Sequence, residues 1–336
     1  MSKLKIGITQ GDINGIGYEV ILKTLEDNRM VECCTPIVYG SPKVAAYHRK
    51  LTNVNINLNL IGKAEDANET RVNIINCCND EVKVDLGKST PQAGEAAFAA
   101  LERATQDLKE GKIDALLTAP INKNNIQSAQ FSFPGHTEYL EQLFGNAGDA
   151  LMVLANDSLR VAVVTGHVPI SKVSSLLTTE KILSKMEQFY HSLQQDFGIN
   201  KPRIAVLGLN PHAGDGGVLG TEETEIIQPA IEQAREKGMI CFGPMPADGF
   251  FGSQAYDHYD GILAMYHDQG LIPFKVLAME NGVNFTAGLP IVRTSPDHGT
   301  AYDKAGKNQA DCNSLRQALY MAIDIVKQRN NQHDSL

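Results

Sequence analysis

Three histidines occupy the same kind of position in this sequence. His167 in TGHVP, His212 in NPHAGDGG and His267 in YHDQG each follow a short apolar run and enter a Gly- or Pro-containing turn. The runs, Arg160 to Val164, Arg203 to Leu209 and Gly261 to Met265, are largely aliphatic, as expected of strands buried on both faces. Ligands of an open α/β sheet bind beyond the carboxyl ends of such strands, where the three imidazoles would lie. A neutral imidazole is a common ligand of divalent ions, and three protein ligands with an open position describe a catalytic site, zinc foremost, with magnesium or cobalt as alternatives. One such histidine alone reads as a loop residue or a helix cap. Three in the same setting point to a metal.

Two further groups suit an anionic substrate. In PGHTEYL, His136 and Thr137 open a helix, and a helix amino terminus bearing a hydroxyl and an imidazole is a ready phosphate site. The alternative is plain N-capping by Thr137. TAPINK adds Lys123 from a neighbouring strand end. Beyond the third histidine, Lys275, Asn284 and Arg293 are interleaved with apolar residues that could form strands. The cations among them would hold carboxylate or phosphate, or else lie exposed on loops. Asp248 in PADG and Asp268 after His267 are candidates for a general base or for orienting a ligand. Asp297, His298 and Thr300 lie in the turn PDHGTAYD, which contacts a nucleotide or is simply a turn. GDINGIG spaces its glycines GxxxGxG rather than GxGxxG, and no acidic residue closes the next strand, so a standard dinucleotide-binding domain is not expected.

The elements that must position these residues alternate. A strand from Leu4 to Thr9 leads through the Gly-rich turn into a helix around Glu19 to Leu25, and Ile37 to Tyr39 and Val72 to Ile75 read as further strands. Thr90-Pro91 opens a helix whose Ala97, Leu101, Ala104 and Leu108 keep helical spacing until Gly111, after which Ile113 to Leu117 returns as a strand. Further helices carry Ile182, Met186, Phe189, Leu193 and Phe197, span Glu222 to Lys237, and close the chain over Asn313 to Arg329, with the polar tail NNQHDSL frayed. Alternating strand and helix predicts a mostly parallel sheet with right-handed crossovers. The chain of 336 residues exceeds what one core usually serves, which predicts two α/β lobes. The first is expected over 1–140 plus 295–336, and the second, with the metal histidines and a dimer interface, over 141–294.

Composition narrows the function classes. A net charge of -9 argues against a nucleic-acid partner. No apolar stretch approaches the roughly 20 residues that cross a bilayer, and no signal-peptide core opens the chain, so a cytoplasmic location is expected. The six cysteines include the adjacent pairs Cys33-Cys34 and Cys77-Cys78 but no CxxC, and read as small buried hydrophobes in a reducing compartment.

Taken in order, GDINGIG, TAPINK, PGHTE, TGHVP, NPHAGDGG, GPMPAD, YHDQG and RTSPDHGTAYD run nearly end to end along the chain. In these eight segments it resembles the 4-hydroxythreonine-4-phosphate dehydrogenases of pyridoxal phosphate biosynthesis, the PdxA type. The resemblance implies a two-lobed fold similar to isocitrate and isopropylmalate dehydrogenases, with the active site in the interlobe cleft. It implies His167, His212 and His267 as metal ligands and His136, Thr137, Lys275, Asn284 and Arg293 as substrate-binding residues. It also implies a homodimer that draws metal ligands from both subunits. The expected reaction is NAD- or NADP-linked, metal-assisted oxidation of 4-phosphohydroxy-L-threonine, followed by decarboxylation. Lys275 or Asp248 would relay the proton, and Asp297 and Thr300 would contact the cofactor. Family members commonly read GDPAGIG where this chain has Ile13-Asn14. TAPINK and PGHTE are also similar to the branch that oxidises 4-phospho-D-threonate or D-erythronate. A metal-dependent hydrolase or aldolase is the rival without redox chemistry, and a sensor of a phosphorylated metabolite the rival without catalysis.

Overall fold

A computed structural model describes residues 3–79, 81–278 and 280–333. Among them twelve strands occur: β1 (Lys5–Thr9), β2 (Thr35–Gly40), β3 (Leu58–Ile61), β4 (Val72–Asn76), β5 (Ala115–Thr118), β6 (Leu151–Ala155), β7 (Arg160–Thr165), β8 (Arg203–Leu207), β9 (Ile240–Met245), β10 (Gly261–Tyr266), β11 (Val283–Ala287) and β12 (Arg293–Pro296). The chain divides into two compact units, Met1–Asn146 with Pro290–Lys327, and Ala147–Leu289 with Gln328–Leu336.

In unit 1 the strands run in the order β3-β4-β2-β1-β5-β12, every pair parallel. Its core strands β1, β2 and β5 are almost wholly buried, which their aliphatic runs require. The helix Pro91–Lys109 begins as its sequence predicts: the Thr90 hydroxyl accepts the Ala93 N–H and Pro91 takes the first turn. It buries Ala97, Leu101, Ala104 and Leu108, the spacing read from the sequence.

Unit 2 orders its strands β11-β6-β7-β10-β8-β9. The pairs β7–β10, β10–β8 and β8–β9 are parallel, while β6 is antiparallel to both β7 and β11, a departure from the expected parallel alternation. The four residues between β6 and β7 are too few for a crossover helix, so the pair must reverse direction. The core of this unit gathers Val161, Val163, Leu207, Ile262, Ala264, Leu271 and Phe274. Leu271 and Phe274 come from the helix His267–Ala278, which sits directly on β7 and β10. Gly270 permits that seat, because a Cβ there would come within 2.8 Å of the Val161 side chain and 3.0 Å of Ala264.

The last helix runs Asn313–His333, so its first residues of the NNQHDSL tail are helical, and 334–336 lie outside the described residues. All six cysteines are free; Cys34 and Cys241 are buried as expected, whereas Cys33 is exposed. No helix among the described residues is long and apolar enough to cross a membrane.

Candidate active site

Because β7, β10 and β8 are parallel neighbours, their carboxyl ends emerge on one edge of unit 2. Each end delivers a histidine: His167 two residues past Thr165, His267 directly after Tyr266, and His212 five past Leu207. His267 does not sit in a turn; it is the first residue of the helix His267–Ala278. The His167 and His267 ring centroids lie 5.7 Å apart. They line a pocket of about 290 Å³ with Val168, Ile170, Tyr266 and Asp268. The His267 Nδ1 lies 2.7 Å from the Asp268 carboxylate. A carboxylate there fixes the Nδ1–H tautomer and leaves the Nε2 lone pair for a cation. Imidazole nitrogens are donors of the kind that divalent transition ions accept. His212 does not complete the set: among the described residues, no three His, Cys, Asp or Glu side chains of one chain gather to hold a metal.

His212 stands on an unusual backbone. Residues 212–216 all have positive φ, with His212 at 54°, Ala213 at 50° and Asp215 at 45°. Each non-glycine residue in that region costs about 1–2 kcal/mol, so the turn needs support. It comes from Glu223, only 2% exposed, whose carboxylate accepts the Leu209 and Asn210 N–H groups, both at 2.7 Å, and the Asn210 Nδ2 at 3.0 Å. Gln269 ties two strand ends together, donating to the Gly208 carbonyl at 2.6 Å and accepting the Met265 N–H at 2.7 Å. Neither Glu223 nor Gln269 was singled out by type and spacing. Glu223 sits in the acidic run TEETE, which reads as a solvated face, while Gln269 belongs to the YHDQG segment and could have been found there.

The other unit 2 residues are dispersed. Asp248 is exposed in the first turn of the helix Ala247–Gly252. Lys275 is exposed on the helix His267–Ala278 rather than on a strand, because Leu271, Phe274 and Ala278 recur at helical spacing and are buried together. Asn284 lies on β11, and its Oδ1 is buried without a hydrogen-bond partner.

Unit 1 holds the anion-directed group. Arg293 on β12 is 3% exposed and donates from Nε and a terminal nitrogen to the Thr118 hydroxyl at 3.1 and 2.7 Å. Burial lowers its pKa to about 10, with Glu138 acting the other way. Even so the guanidinium stays charged at pH 7. His136 and Thr137 open the helix His136–Phe144. Gly135, in extended backbone, is the N-cap, and no side chain caps the helix, so Thr137 is not the capping residue. The His136 Nε2 is buried without a partner. Burial, then the charges of Arg293 and Lys123, hold its pKa well below the usual imidazole range. A neutral imidazole with an unspent ring nitrogen, facing two cations, is arranged to receive an anion. Thr118 was missed as a partner of Arg293 because the two are 175 residues apart.

The turn after β12 carries Asp297 and Thr300, both partly exposed. Its backbone belongs to the fold: the Asp297 N–H donates to Ser314 and the Thr300 carbonyl accepts the Ile16 N–H, both at 3.0 Å. The GDINGIG loop is anchored from within. Asp12, fully buried, accepts the Tyr302 hydroxyl at 2.7 Å and the Asn125 Nδ2 at 2.8 Å. Asn14, at the position where the family pattern has Ala, donates to the Lys88 carbonyl and the Thr90 hydroxyl and accepts the Asp85 N–H. That substitution therefore tethers 85–90 to the loop.

The family described as pyridoxal phosphate biosynthetic protein PdxA matches over residues 32–322. A 4-hydroxythreonine-4-phosphate dehydrogenase of Bacteroides thetaiotaomicron is 60% identical over 331 residues, covering 98% of this chain and 91% of that protein. The crystal structure of the Klebsiella pneumoniae enzyme of the same name superposes with a TM-score of 0.84 at 37% identity, covering 97% of this chain and 98% of that one. An isocitrate dehydrogenase from Methylococcus capsulatus, 12% identical, covers 98% of this chain and 88% of its own with a TM-score of 0.52, a likeness of fold alone. The isocitrate dehydrogenase-like α/β architecture implied by the sequence is therefore the one observed.

Proposed function

Because this chain belongs to the PdxA family, we propose that it oxidises the secondary alcohol of 4-phosphohydroxy-L-threonine with NAD or NADP, in pyridoxal phosphate biosynthesis. The product, 2-amino-3-oxo-4-phosphooxybutanoate, then loses carbon dioxide to give 3-amino-2-oxopropyl phosphate. The observation that carries the reading is the 60% identity to a named dehydrogenase along nearly the whole chain. The site chemistry supports it, with an anion-directed group in one unit and imidazoles at strand ends in the other.

In this reading Arg293 and Thr137 hold the substrate's anionic end, and the His136 Nε2 makes the hydrogen bond it lacks in the free protein. Lys275 and Asn284 orient the rest of the molecule. Lys275 or Asp248 takes the proton from the reacting hydroxyl. His167, His212 and His267 hold a divalent ion, zinc foremost, which when bound supplies Lewis acidity at the oxygen being oxidised. Asp297 and Thr300 contact the nicotinamide nucleotide.

A homodimer that supplies metal ligands from both subunits would bring the third imidazole to the other two. Its support is twofold: the three histidines do not converge in one chain, and unit 2 exposes Ile170, Val218, Ile272 and Val276 at 59–79% of their surface. Apolar side chains so exposed are of the kind that a subunit contact covers where they adjoin.

One assay tests the function. Protein, divalent metal, NAD and 4-phosphohydroxy-L-threonine should produce reduced nicotinamide, read by absorbance. Signal only with 4-phospho-D-threonate or D-erythronate would move the assignment to the sister oxidation. No signal with any of the three would favour hydrolase, aldolase or sensor.

A further inference from the structure

The three histidine segments of unit 2 are joined by a hydrogen-bonded frame, and Glu222 and Glu223 are its hub. Glu223 opens a π-helical turn, Glu223–Ile227, a geometry that often marks a functional position. Its carboxylate is buried inside the left-handed turn: a Cβ on Gly214 would meet the Glu223 Oε2 at 2.6 Å, and one on Gly208 would meet Oε1 at 3.1 Å. Both oxygens are spent on the segment just before His212, Oε1 on the Leu209 and Asn210 N–H groups and Oε2 on the Asn210 side chain. Asn210 also donates to the Glu222 Oε2 at 2.7 Å, and the Ser174 hydroxyl donates to the Glu222 Oε1 at 2.7 Å. Ser174 lies in the short helix that follows the His167 turn. The Gln269 clamp reaches the same Gly208 from the His267 side.

We infer that Glu223 is a positioning residue for the divalent metal, its carboxylate holding the left-handed turn on which His212 is presented. It is not a ligand itself, since its oxygens face main-chain donors and Asn210. The inference rests on the proposed reading of His212 as a metal ligand. Without the carboxylate the turn is held less often in its left-handed form, so metal binding must first restore the imidazole to its place, while the ligand set of the bound ion and the buried sheet beneath stay the same. Glu223→Gln puts an amide N–H among donors and removes the charge that three N–H groups share.

The test is a Co²⁺ titration of the full-length protein, with the melting temperature of the metal-free form measured alongside. Supporting residues of this kind change metal affinity about 10- to 100-fold, and that loss is expected for Glu223→Gln. The d–d spectrum of the Co²⁺ that does bind should match the wild type, because the ligands are unchanged. Adding Ala213→Gly, which removes the steric penalty of positive φ, should restore part of the affinity. Affinity within twofold of wild type, or an altered spectrum showing a lost ligand, overturns the inference. Should Glu223→Gln fail to fold, Asn210→Ala removes the side-chain links while sparing Glu223 its main-chain bonds. At least a threefold weaker affinity is then expected, and unchanged affinity overturns the inference. His212→Ala separates the two levels. If that variant binds Co²⁺ like the wild type, the metal reading fails; if it does not and Glu223→Gln does, only the role of Glu223 fails.

Discussion

The anion-directed group of unit 1 is buried before any ligand arrives, with Arg293 and Thr118 at 3% and 0% exposure and the His136 ring nitrogen sealed from solvent. The histidines of unit 2 are the reverse: His167 and His212 are exposed, the His267 side chain is 35% exposed, and among the described residues no set of three metal-ligating side chains converges. In unit 1 the cost of desolvating a cation is met when the chain folds, so the pocket meets its ligand already organised. In the proposed reading of unit 2 the cost falls on the binding event, since an ion and a second subunit would have to bring the imidazoles together. The first arrangement ties the buried cation to fold stability, and the second, on the proposed reading, would tie metal binding to assembly.

Substituting one residue on each side is the sharpest way to break this contrast. His212→Ala should lower turnover by about a thousandfold, the several kcal/mol that a lost Lewis acid represents. The melting point of the metal-free protein should barely move, because the side chain is exposed. Steady-state rates with metal analysis and calorimetry measure the two. Arg293→Lys should do both kinds of damage: kcat/KM lower by about 100-fold, mostly through KM, and stability lower by about 1–3 kcal/mol as the buried Thr118 hydroxyl loses its donors. A lysine variant with unimpaired stability would erase the distinction between the regions.

Chelation probes unit 2 alone. Removing a metal held at a hundredfold excess over its Kd should lower stability by about 2.7 kcal/mol. Inorganic phosphate should still raise the melting temperature of the chelated protein, and Arg293→Lys should abolish that shift. The smallest expected effect is on pH dependence. The native His136 pKa is depressed, so below the ordinary imidazole value near 6.5 the unfolded chain takes up a proton that the native site refuses. Stability is therefore lost as pH falls through that value, by at most about 1.4 kcal/mol per pH unit for one group. His136→Asn should flatten the slope in denaturant titrations, leaving the part due to His48, which burial also depresses.

The same contrast governs what could be read from the sequence. Strand-end histidines were legible because the signal is local: an aliphatic run, then a polar turn. The eight ordered segments carried the family for the same reason. The Arg293–Thr118 contact spans 175 residues and leaves no local trace. Glu223 is hidden for another reason, since nothing in TEETE separates the one buried carboxylate from the half-buried Glu222 and the exposed Glu225. Lys275 reads as lying among strands because the other seven residues of LIPFKVLA are apolar. Only the close seat allowed by Gly270 shows why that run coils onto β7 and β10. Thr137 looked like a cap because it precedes an acidic helix start, but Gly135 already supplies the extended residue there.

Unit 1 is discontinuous, Met1–Asn146 completed by Pro290–Lys327, whereas residues 147–289 supply nearly all of unit 2 in one stretch. During synthesis from the amino terminus, β5 is exported with one edge open until β12, the last strand made, arrives to pair with it. Arg293 rides on that strand. A chain interrupted before residue 290 would carry all three histidines yet lack the Arg293 guanidinium, so on the proposed reading anion recognition waits for β12.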